Sequence, residues 1–157
     1  MRLLAIDPGI HNTGYAVFDS KDKLCEHGTI RVPEKMVMLE RVDYLLHTLF
    51  CRCKAIEVVV ELPEPQRGVR GTMAMLRGDM LKTSILVGAI CGARWGCHNT
   101  WRTCHMVTPS QWKGQLPKTV TQAQCKKLYG VEKKHEYDAD MIDAIMLGHW
   151  WLTEGCK

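Results

Sequence analysis

The chain opens with Leu3-Leu4-Ala5-Ile6-Asp7-Pro8-Gly9, a short apolar run that meets a turn signal. Such a run is typical of a buried β-strand, and the proline and glycine end it. We therefore predict a first strand over residues 3–6, with Asp7 at its carboxyl end. Residues 14–19 and 24–32 also have strand patterns and are separated by a polar turn. The first third of the chain is thus predicted to form an antiparallel meander.

The rest of the chain alternates between helix and strand patterns. Ala55-Ile56-Glu57-Val58-Val59-Val60-Glu61 is nearly continuous and β-branched, which predicts a strand covered on both faces at the centre of the sheet. The other predicted elements are a helix from Glu34 to Arg52, a long helix from Thr72 to Arg94, a strand over 103–107, a loop or short helix over 109–117, and helices over 118–129 and 139–152. This order predicts an α/β fold with a five-stranded mixed sheet flanked by helices.

Length and composition limit the class of protein. The 157 residues suit a single domain over residues 1–157, and the longest apolar stretches are far too short for a membrane span. The amino terminus lacks the features of a secretory signal, so an intracellular protein is expected. Its eight cysteines are then expected to stay reduced and to act as small apolar residues, which we favour over a structural zinc site.

Four acidic residues occupy positions from which they can meet. Asp7 ends the first strand, Glu61 ends the fourth, and Asp140 and Asp143 lie three apart on one face of the last helix. Carboxylate oxygens suit Mg²⁺ or Mn²⁺, and one carboxylate per strand end leaves coordination positions open for phosphate and water. Two such ions about 4 Å apart can activate a water and stabilise the leaving 3′ oxygen of a phosphodiester. The four residues are therefore predicted to bind metal and to catalyse phosphodiester hydrolysis.

Each piece of this pattern also has a simpler explanation. Asp-Pro-Gly is often only a turn, a strand-end glutamate is usually solvated, and paired aspartates on a helix usually form a wet face. Glu57 faces the same side of its strand as Glu61 and competes with it for the site. Asp138, two residues before Asp140, falls on another face of the helix. The conjunction of the four residues, in this order and on these elements, favours the metal site.

The same residues lie in motifs that resemble those of a known family. Ala5-Ile6-Asp7-Pro8-Gly9, followed by Asn12-Thr13-Gly14-Tyr15-Ala16-Val17, resembles the opening of RuvC-type Holliday junction resolvases. Val58-Val59-Val60-Glu61 is similar to the strand that ends in the family's second acidic residue. Asp140-Met141-Ile142-Asp143-Ala144 is similar to its D-x-x-D-A motif. The resemblance runs through essentially the whole chain and is closer to phage-type members than to the bacterial housekeeping enzyme.

The resemblance implies a ribonuclease H-like fold and a homodimer that resolves four-way DNA junctions in recombination and repair. Each subunit would nick one strand and leave a 5′ phosphate, with two Mg²⁺ ions per active site and Mn²⁺ as an alternative. The resemblance also implies that Lys113 and Lys118 lie near the scissile phosphate, with Lys118 as a catalytic residue beside the four carboxylates.

Basic residues concentrate in two regions where DNA would lie. Between Thr108 and Lys134, six lysines oppose the single Glu132, a local charge of +5, whereas the whole chain carries +4. Such lysines neutralise phosphates. A second group follows the fourth strand and consists of Arg67, Arg70, Arg77 and Lys82. Together with Lys113 and Lys118 of the first region, these are the predicted DNA-binding residues. A solvated helix face explains four other lysines equally well, namely Lys126, Lys127, Lys133 and Lys134. Trp112 is expected to anchor its loop to the core rather than to stack on a base.

Other functions fit part of the pattern. A non-catalytic branched-DNA-binding module would keep the basic residues but gives no reason for four acidic residues to converge. A nuclease for forks or flaps would share the whole site. Actin-like kinases and ATPases have a D-x-G turn like Asp7-Pro8-Gly9, but their duplicated fold needs a much longer chain. The methionine-rich helix from Thr72 is the candidate homodimer interface.

Overall fold

The computed structural model describes residues 2–20, 23–52, 57–65, 78–93, 103–114, 116–136 and 138–155. The strands are β1 (Leu3–Asp7), β2 (Asn12–Ser20), β3 (Lys23–Arg31), β4 (Glu57–Glu61) and β5 (Thr103–Val107). The helices are α1 (Met38–Arg52), α2 (Asp79–Gly92), α3 (Pro109–Trp112), α4 (Lys118–Tyr129) and α5 (Asp138–Trp150), and α5 continues into a turn of π-helix over Trp151–Gly155. The predicted α/β architecture is confirmed.

The five strands form one mixed sheet in the order β3-β2-β1-β4-β5. β1 pairs antiparallel with β2 and parallel with β4, and β4 pairs parallel with β5. The predicted meander and five-stranded sheet are confirmed, but β1 rather than β4 occupies the centre. A continuous apolar pattern indicates that a strand is buried on both faces. Both β1 and β4 have this pattern, so the pattern cannot tell which of the two is the central strand. Because β1 and β4 run parallel, their carboxyl ends lie at the same edge of the sheet.

Helix α5 packs closely on one face of the sheet, and residues 141–148 are all buried. Its close approach depends on glycine, because Gly148 lies against Phe18 and Gly14 of β2 lies against the backbone of Asp140. A Cβ at position 14 would overlap the carbonyl group of Asp140. Gly14 is also the β2 partner of Asp7 in the sheet. The first turn of α5 is thereby brought to the edge where β1 ends.

The opposite face of the sheet is covered by α1 and α2. Leu45 and Leu49 of α1, and Leu86 and Ile90 of α2, are buried in one cluster with the apolar side chains of β1 and β4. Burying each aliphatic side chain of this size contributes about 1.5–3 kcal/mol relative to leaving it exposed. Helices on both faces therefore hold β1 and β4 rigidly.

Helix boundaries differ from the sequence pattern mainly at helix starts. α1 begins at Met38 rather than directly after Pro33, because the chain first forms a turn and Glu40 then accepts the backbone N–H of Val37. The segment 109–117 contains the short helix α3, one of the two predicted outcomes. α4 has the predicted bounds, and it ends where the next residue, a glycine, takes a positive φ of 69°.

Two further predictions concern the start of the long helix and the number of domains. The predicted start of the long helix, Thr72, lies outside the described residues, and its described part is α2. The single domain over residues 1–157 stays a prediction. In the described parts of the chain, no helix combines the length and apolar character that crossing a membrane requires.

Candidate active site

Two strand ends and one helix bring the predicted carboxylates to the same edge of the sheet. Asp7 and Glu61 directly follow Ile6 and Val60, the last residues that β1 and β4 pair with each other, so they end neighbouring parallel strands. Asp140 and Asp143 lie in the first turns of α5, which packs against this edge. Asp143 is buried, and the other three keep some exposed surface.

The four carboxylates are close enough to repel one another. Asp7 is closely surrounded by protein, and this burial raises its pKa well above the usual range; the charges of Glu61, Asp140 and Asp143 raise it further. Burial likewise raises the pKa of Glu61 and the pKa of Asp140. Like charges held together away from water disfavour the ionised form. A bound cation would relieve this repulsion.

A lysine ammonium lies among these carboxylates. Nζ of Lys113 is 3.1 Å from Oδ2 of Asp143 and 3.5 Å from Oε2 of Glu61, and the lysine side chain is 18% exposed. Burial opposes the charge of Lys113, but Glu61, Asp143 and Asp7 together raise its pKa. Nζ of Lys118, on a mostly exposed side chain, is 3.9 Å from the same oxygen of Asp143. Both predicted lysines therefore stand at the carboxylates.

The short helix α3 holds Lys113 in place from outside the sheet. Its start is fixed by a capping box, in which the backbone N–H of Thr108 donates to Oε1 of Gln111 at 2.8 Å. Glu64, in the segment after β4, accepts the backbone N–H of Ser110 at 3.0 Å and its hydroxyl at 2.7 Å. α3 is thereby tied to the chain that leaves the end of β4.

Trp112 connects α3 directly to one of the carboxylates. Its side chain is only 8% exposed, which agrees with the predicted anchoring role. Its indole Nε1 also donates a hydrogen bond of 2.7 Å to Oε2 of Glu61. The sequence did not predict this contact, because it joins residues 51 positions apart and the nearest sequence signal is only a tryptophan beside Lys113.

The competing acidic residues are engaged elsewhere. Glu57 lies at the opposite end of β4, where its Oε1 accepts Nε1 of Trp151 at 3.0 Å and lies 3.3 Å from Nε2 of His105. Oδ2 of Asp138 accepts two backbone N–H groups of the preceding loop, each at 2.9 Å. Alternation correctly placed Glu57 on the same face as Glu61, but the length of the strand separates them.

The turn that follows Asp7 is held by buried polar groups that sequence reasoning missed. The hydroxyl of Thr13, which is fully buried, donates to the carbonyl of Gly9 at 2.8 Å. The buried guanidinium of Arg41, on α1, donates to the carbonyl of Ile10 at 3.2 Å and to two further carbonyl groups. In sequence, Arg41 looks like an ordinary exposed helix residue. These contacts fix the turn and therefore the position of Asp7.

The predicted DNA-binding residues fall into three groups. Lys113 and Lys118 contact the carboxylates as described above. Lys82 forms a 3.6 Å ion pair with Asp79 in the first turn of α2. Three predicted residues lie outside the described parts of the chain, namely Arg67, Arg70 and Arg77.

A cavity of about 560 Å³ opens beside the carboxylates, between α3, α4 and the second half of α5. Its walls include Trp112 and Lys113, which it shares with the carboxylate cluster, and also Gln124 and Lys127. The neighbouring Lys126 is instead held in a 2.7 Å ion pair with Glu132. The structure thus separates two adjacent lysines that the sequence could not distinguish.

The side chains that converge here are of a type that binds a hard divalent cation. Four carboxylates supply only oxygen ligands, and the ammonium of Lys113 already lies between two of them as a cation would. In the described ranges, however, no group of three or more acidic, histidine or cysteine side chains is close enough to hold a metal ion as it stands.

Solved structures identify the class of fold. The chain is similar to Thermus thermophilus RuvC in complex with a Holliday junction substrate, at 19% identity and a TM-score of 0.71 over 99% of this chain and 97% of that one. It is also similar to the yeast mitochondrial Holliday junction resolvase Ydc2, at 15% identity and a TM-score of 0.63 over 96% of this chain and 78% of that one. The fold is therefore ribonuclease H-like, as expected.

A curated relative identifies the family. The crossover junction endodeoxyribonuclease RuvC of Caldicellulosiruptor saccharolyticus is 30% identical over an alignment of 156 positions that covers 92% of this chain and 88% of that protein. No protein-family model matches the chain. On the strength of this relative, the chain belongs to the RuvC family of crossover junction endodeoxyribonucleases.

Proposed function

We propose that this protein is a metal-dependent endonuclease that resolves four-way DNA junctions by paired symmetric nicks. The observation that carries the proposal is the convergence of Asp7, Glu61, Asp140 and Asp143 on one edge of the sheet with Lys113 among them. Membership of the family supports it, since the relative is named a crossover junction endodeoxyribonuclease and a similar structure contains a Holliday junction. A non-catalytic DNA-binding module would gain nothing from four mutually repelling carboxylates.

The four carboxylates are the residues that would hold Mg²⁺ or Mn²⁺. When bound, such ions supply positive charge that stabilises the transition state of phosphodiester hydrolysis. Asp7 and Glu61 contribute rigidity, because they end strands packed on both faces. The indole of Trp112 occupies one oxygen of Glu61 and so orients the other.

The two lysines act on the DNA in this proposal. Lys113 has a raised pKa, so it stays charged. With Glu61 and Asp143 holding metal, its ammonium is available to hold a phosphate oxygen. Lys118 is exposed and stands 3.9 Å from Asp143, a position from which it steadies the scissile phosphate. Catalysis is thus mainly electrostatic and positional.

The direct test uses purified protein with labelled four-way junctions, forks and flaps, with and without Mg²⁺ or Mn²⁺. We expect metal-dependent nicks at symmetric positions in two strands of the junction, and nicks that DNA ligase reseals because they carry 5′ phosphates. Tight junction binding without nicking under either metal would instead identify a binding module. Preferential cutting of forks or flaps would support the nuclease activity but contradict the four-way junction as its substrate.

Replacing Trp112 by Phe is expected to lower cleavage about 10–100-fold, the usual cost of losing a group that orients a metal ligand. The phenyl ring keeps an apolar group at the buried position, but Glu61 loses its 2.7 Å hydrogen bond. We also expect half-maximal cleavage to need more Mg²⁺. Both quantities come from cleavage assays across a Mg²⁺ series.

Trp151→Phe is the matched control for that variant. It removes the same kind of indole–carboxylate bond, of 3.0 Å, at the other end of β4, where Glu57 is the acceptor. We expect it to lower stability without changing the Mg²⁺ dependence. An equal loss of cleavage in both tryptophan variants would mean that Trp112 acts only through stability.

Lys127→Ala is expected to weaken junction binding and to reduce the slope of log affinity against log salt by about 1, the effect of one lost phosphate contact. Lys127 lines the cavity beside the carboxylates, so we propose that a DNA strand passes there. Lys126→Ala should leave the slope unchanged, because Glu132 already neutralises Lys126. Binding measured over a salt series compares the two, and equal slopes would place the DNA elsewhere.

The homodimer is a further part of the proposal, with α2 as its interface. Leu81 and Ile85 of α2 are 67% and 46% exposed on one face of the helix, and such apolar side chains suit a covered surface. Leu81→Asp is expected to halve the mass measured by light scattering, whereas Leu128→Asp, on the opposite layer, should not. A wild-type protein that is monomeric at all concentrations would contradict this.

A further inference from the structure

Two cysteines meet on the side of the sheet away from helix α5. Cys91 is near the end of α2 and Cys104 lies in β5, and their Sγ atoms are 3.1 Å apart. Both side chains are partly buried and pack against the apolar cluster formed with α1 and α2. Neither cysteine is half of a disulfide. The two thiols therefore lie close enough to react with the same small molecule.

The surroundings favour this pair over the other described cysteines. The thiol of Cys104 donates to the sulfur of Cys91, which lowers the pKa of Cys91 and favours the nucleophilic thiolate. Cys125 is fully buried, and burial raises its pKa to about 11. Cys25 is exposed, but its hydrogen bond to the carboxylate of Asp19 raises its pKa.

We propose that Cys91 and Cys104 form a dithiol modification site that closes to an intramolecular disulfide with a low-molecular-weight disulfide such as oxidised glutathione. Cys91 thiolate attacks one glutathione sulfur, the glutathione S–S bond breaks, and the departing thiolate takes up a proton. Cys104 then loses its proton, attacks the Cys91 sulfur of the mixed disulfide and releases the second glutathione. Two protein thiols are thereby oxidised by two electrons while one glutathione disulfide is reduced to two thiols.

The bond would join two elements that support the candidate active site. Cys104 pairs with Val58 across β5 and β4, and β5 leads directly into α3 with Trp112. Cys91 is 13 positions before Cys104, so the disulfide would close a short loop and restrain the unfolded chain. We expect the melting temperature of the metal-free protein to rise by about 5–10 °C on oxidation and to return with dithiothreitol. The inference does not depend on the proposed nuclease activity.

The test treats the full chain with oxidised glutathione, blocks remaining thiols and maps peptides by mass spectrometry without reduction. We expect a peptide pair joined through Cys91 and Cys104, together with the rise in melting temperature. Cys104→Ser should stop at a glutathione adduct on Cys91, and Cys91→Ser should react about tenfold more slowly at Cys104. Cys25→Ser is the control and should behave like the wild type.

Phenylarsine oxide gives a second measurement that needs no oxidation, because trivalent arsenic bridges two neighbouring thiols. We expect a one-to-one adduct with the wild type that either Ser variant at the pair abolishes. A bond from Cys91 or Cys104 to any other cysteine would overturn the proposal, as would a stable glutathione adduct that never closes. Zinc that co-purifies with the wild type and is lost in both Ser variants would overturn it in favour of a metal site.

Discussion

Asp7→Asn is expected to lower junction cleavage by at least about 100-fold, because even groups that only orient a metal ligand cost about 10–100-fold when removed. Asp7 ends the central strand, and its pKa is raised by burial and by three other carboxylates. The amide keeps the shape of the side chain but removes the charge. Cleavage of a labelled junction at saturating Mg²⁺ measures the loss.

The same substitution is expected to stabilise the metal-free protein at neutral pH. Because folding raises the pKa of Asp7 above its unfolded value of about 3.9, the folded state retains a proton that the unfolded state has released. The contribution of Asp7 to stability therefore falls as pH rises from about 3.9 through the raised pKa. The amide of the variant does not titrate, so the stability gain of Asp7→Asn should grow over the same interval. Thermal unfolding across pH measures that gain.

Asp138→Asn supplies the opposite pair of outcomes as a control. Asp138 accepts two backbone N–H groups and lies outside the carboxylate cluster, so its replacement should lower stability and leave cleavage unchanged. Mg²⁺ should raise the melting temperature of the wild type and of Asp138→Asn more than that of Asp7→Asn. Equal cleavage by Asp7→Asn, or an equal Mg²⁺ effect on its melting temperature, would remove Asp7 from the site.

The strand ends were predictable because their signals are local. A short apolar run, a turn signal after Asp7 and three valines before Glu61 lie within single stretches of sequence. The choice between Glu57 and Glu61 was not local, since alternation gives the face of a strand but not the partners at its ends. Trp151, 94 positions after Glu57, donates a hydrogen bond to that carboxylate and so engages Glu57 away from the carboxylate cluster.

The supporting contacts of the site were harder to predict for the same reason. Arg41 looks like a surface residue of an amphipathic helix, yet it donates to the carbonyl of Ile10 in the turn after Asp7 and to two carbonyl groups in the segment before α1. Trp112 was predicted only as an anchor, yet it also orients Glu61. Long polar side chains reveal such roles only when the tertiary fold has placed their acceptors. Sequence periodicity carries no information about that placement.

Gly14→Ala is expected to cost at least about 3 kcal/mol of unfolding free energy, the upper range for overpacking, because the obstacle is backbone and cannot rotate away. The added methyl group would overlap the carbonyl of Asp140 and the backbone nitrogen of Met141. Relief requires the first turn of α5 to move off the sheet. That movement carries Asp140 and Asp143 away from Asp7, so cleavage should be lost even at temperatures where the variant remains folded.

Gly88→Ala separates this steric effect from the general cost of replacing glycine. A Cβ at Gly88 meets nothing within 4 Å in the single chain, so in the monomeric Leu81→Asp background, where no partner covers α2, alanine there should stabilise the helix by about 0.5–1 kcal/mol. Denaturant unfolding of both variants gives the two free energies. If Gly88→Ala is destabilising only in the chain that keeps Leu81, a partner subunit covers that face of α2. If Gly14→Ala is as stable as the wild type, α5 does not need its close contact with β2, and the convergence of the carboxylates has another cause.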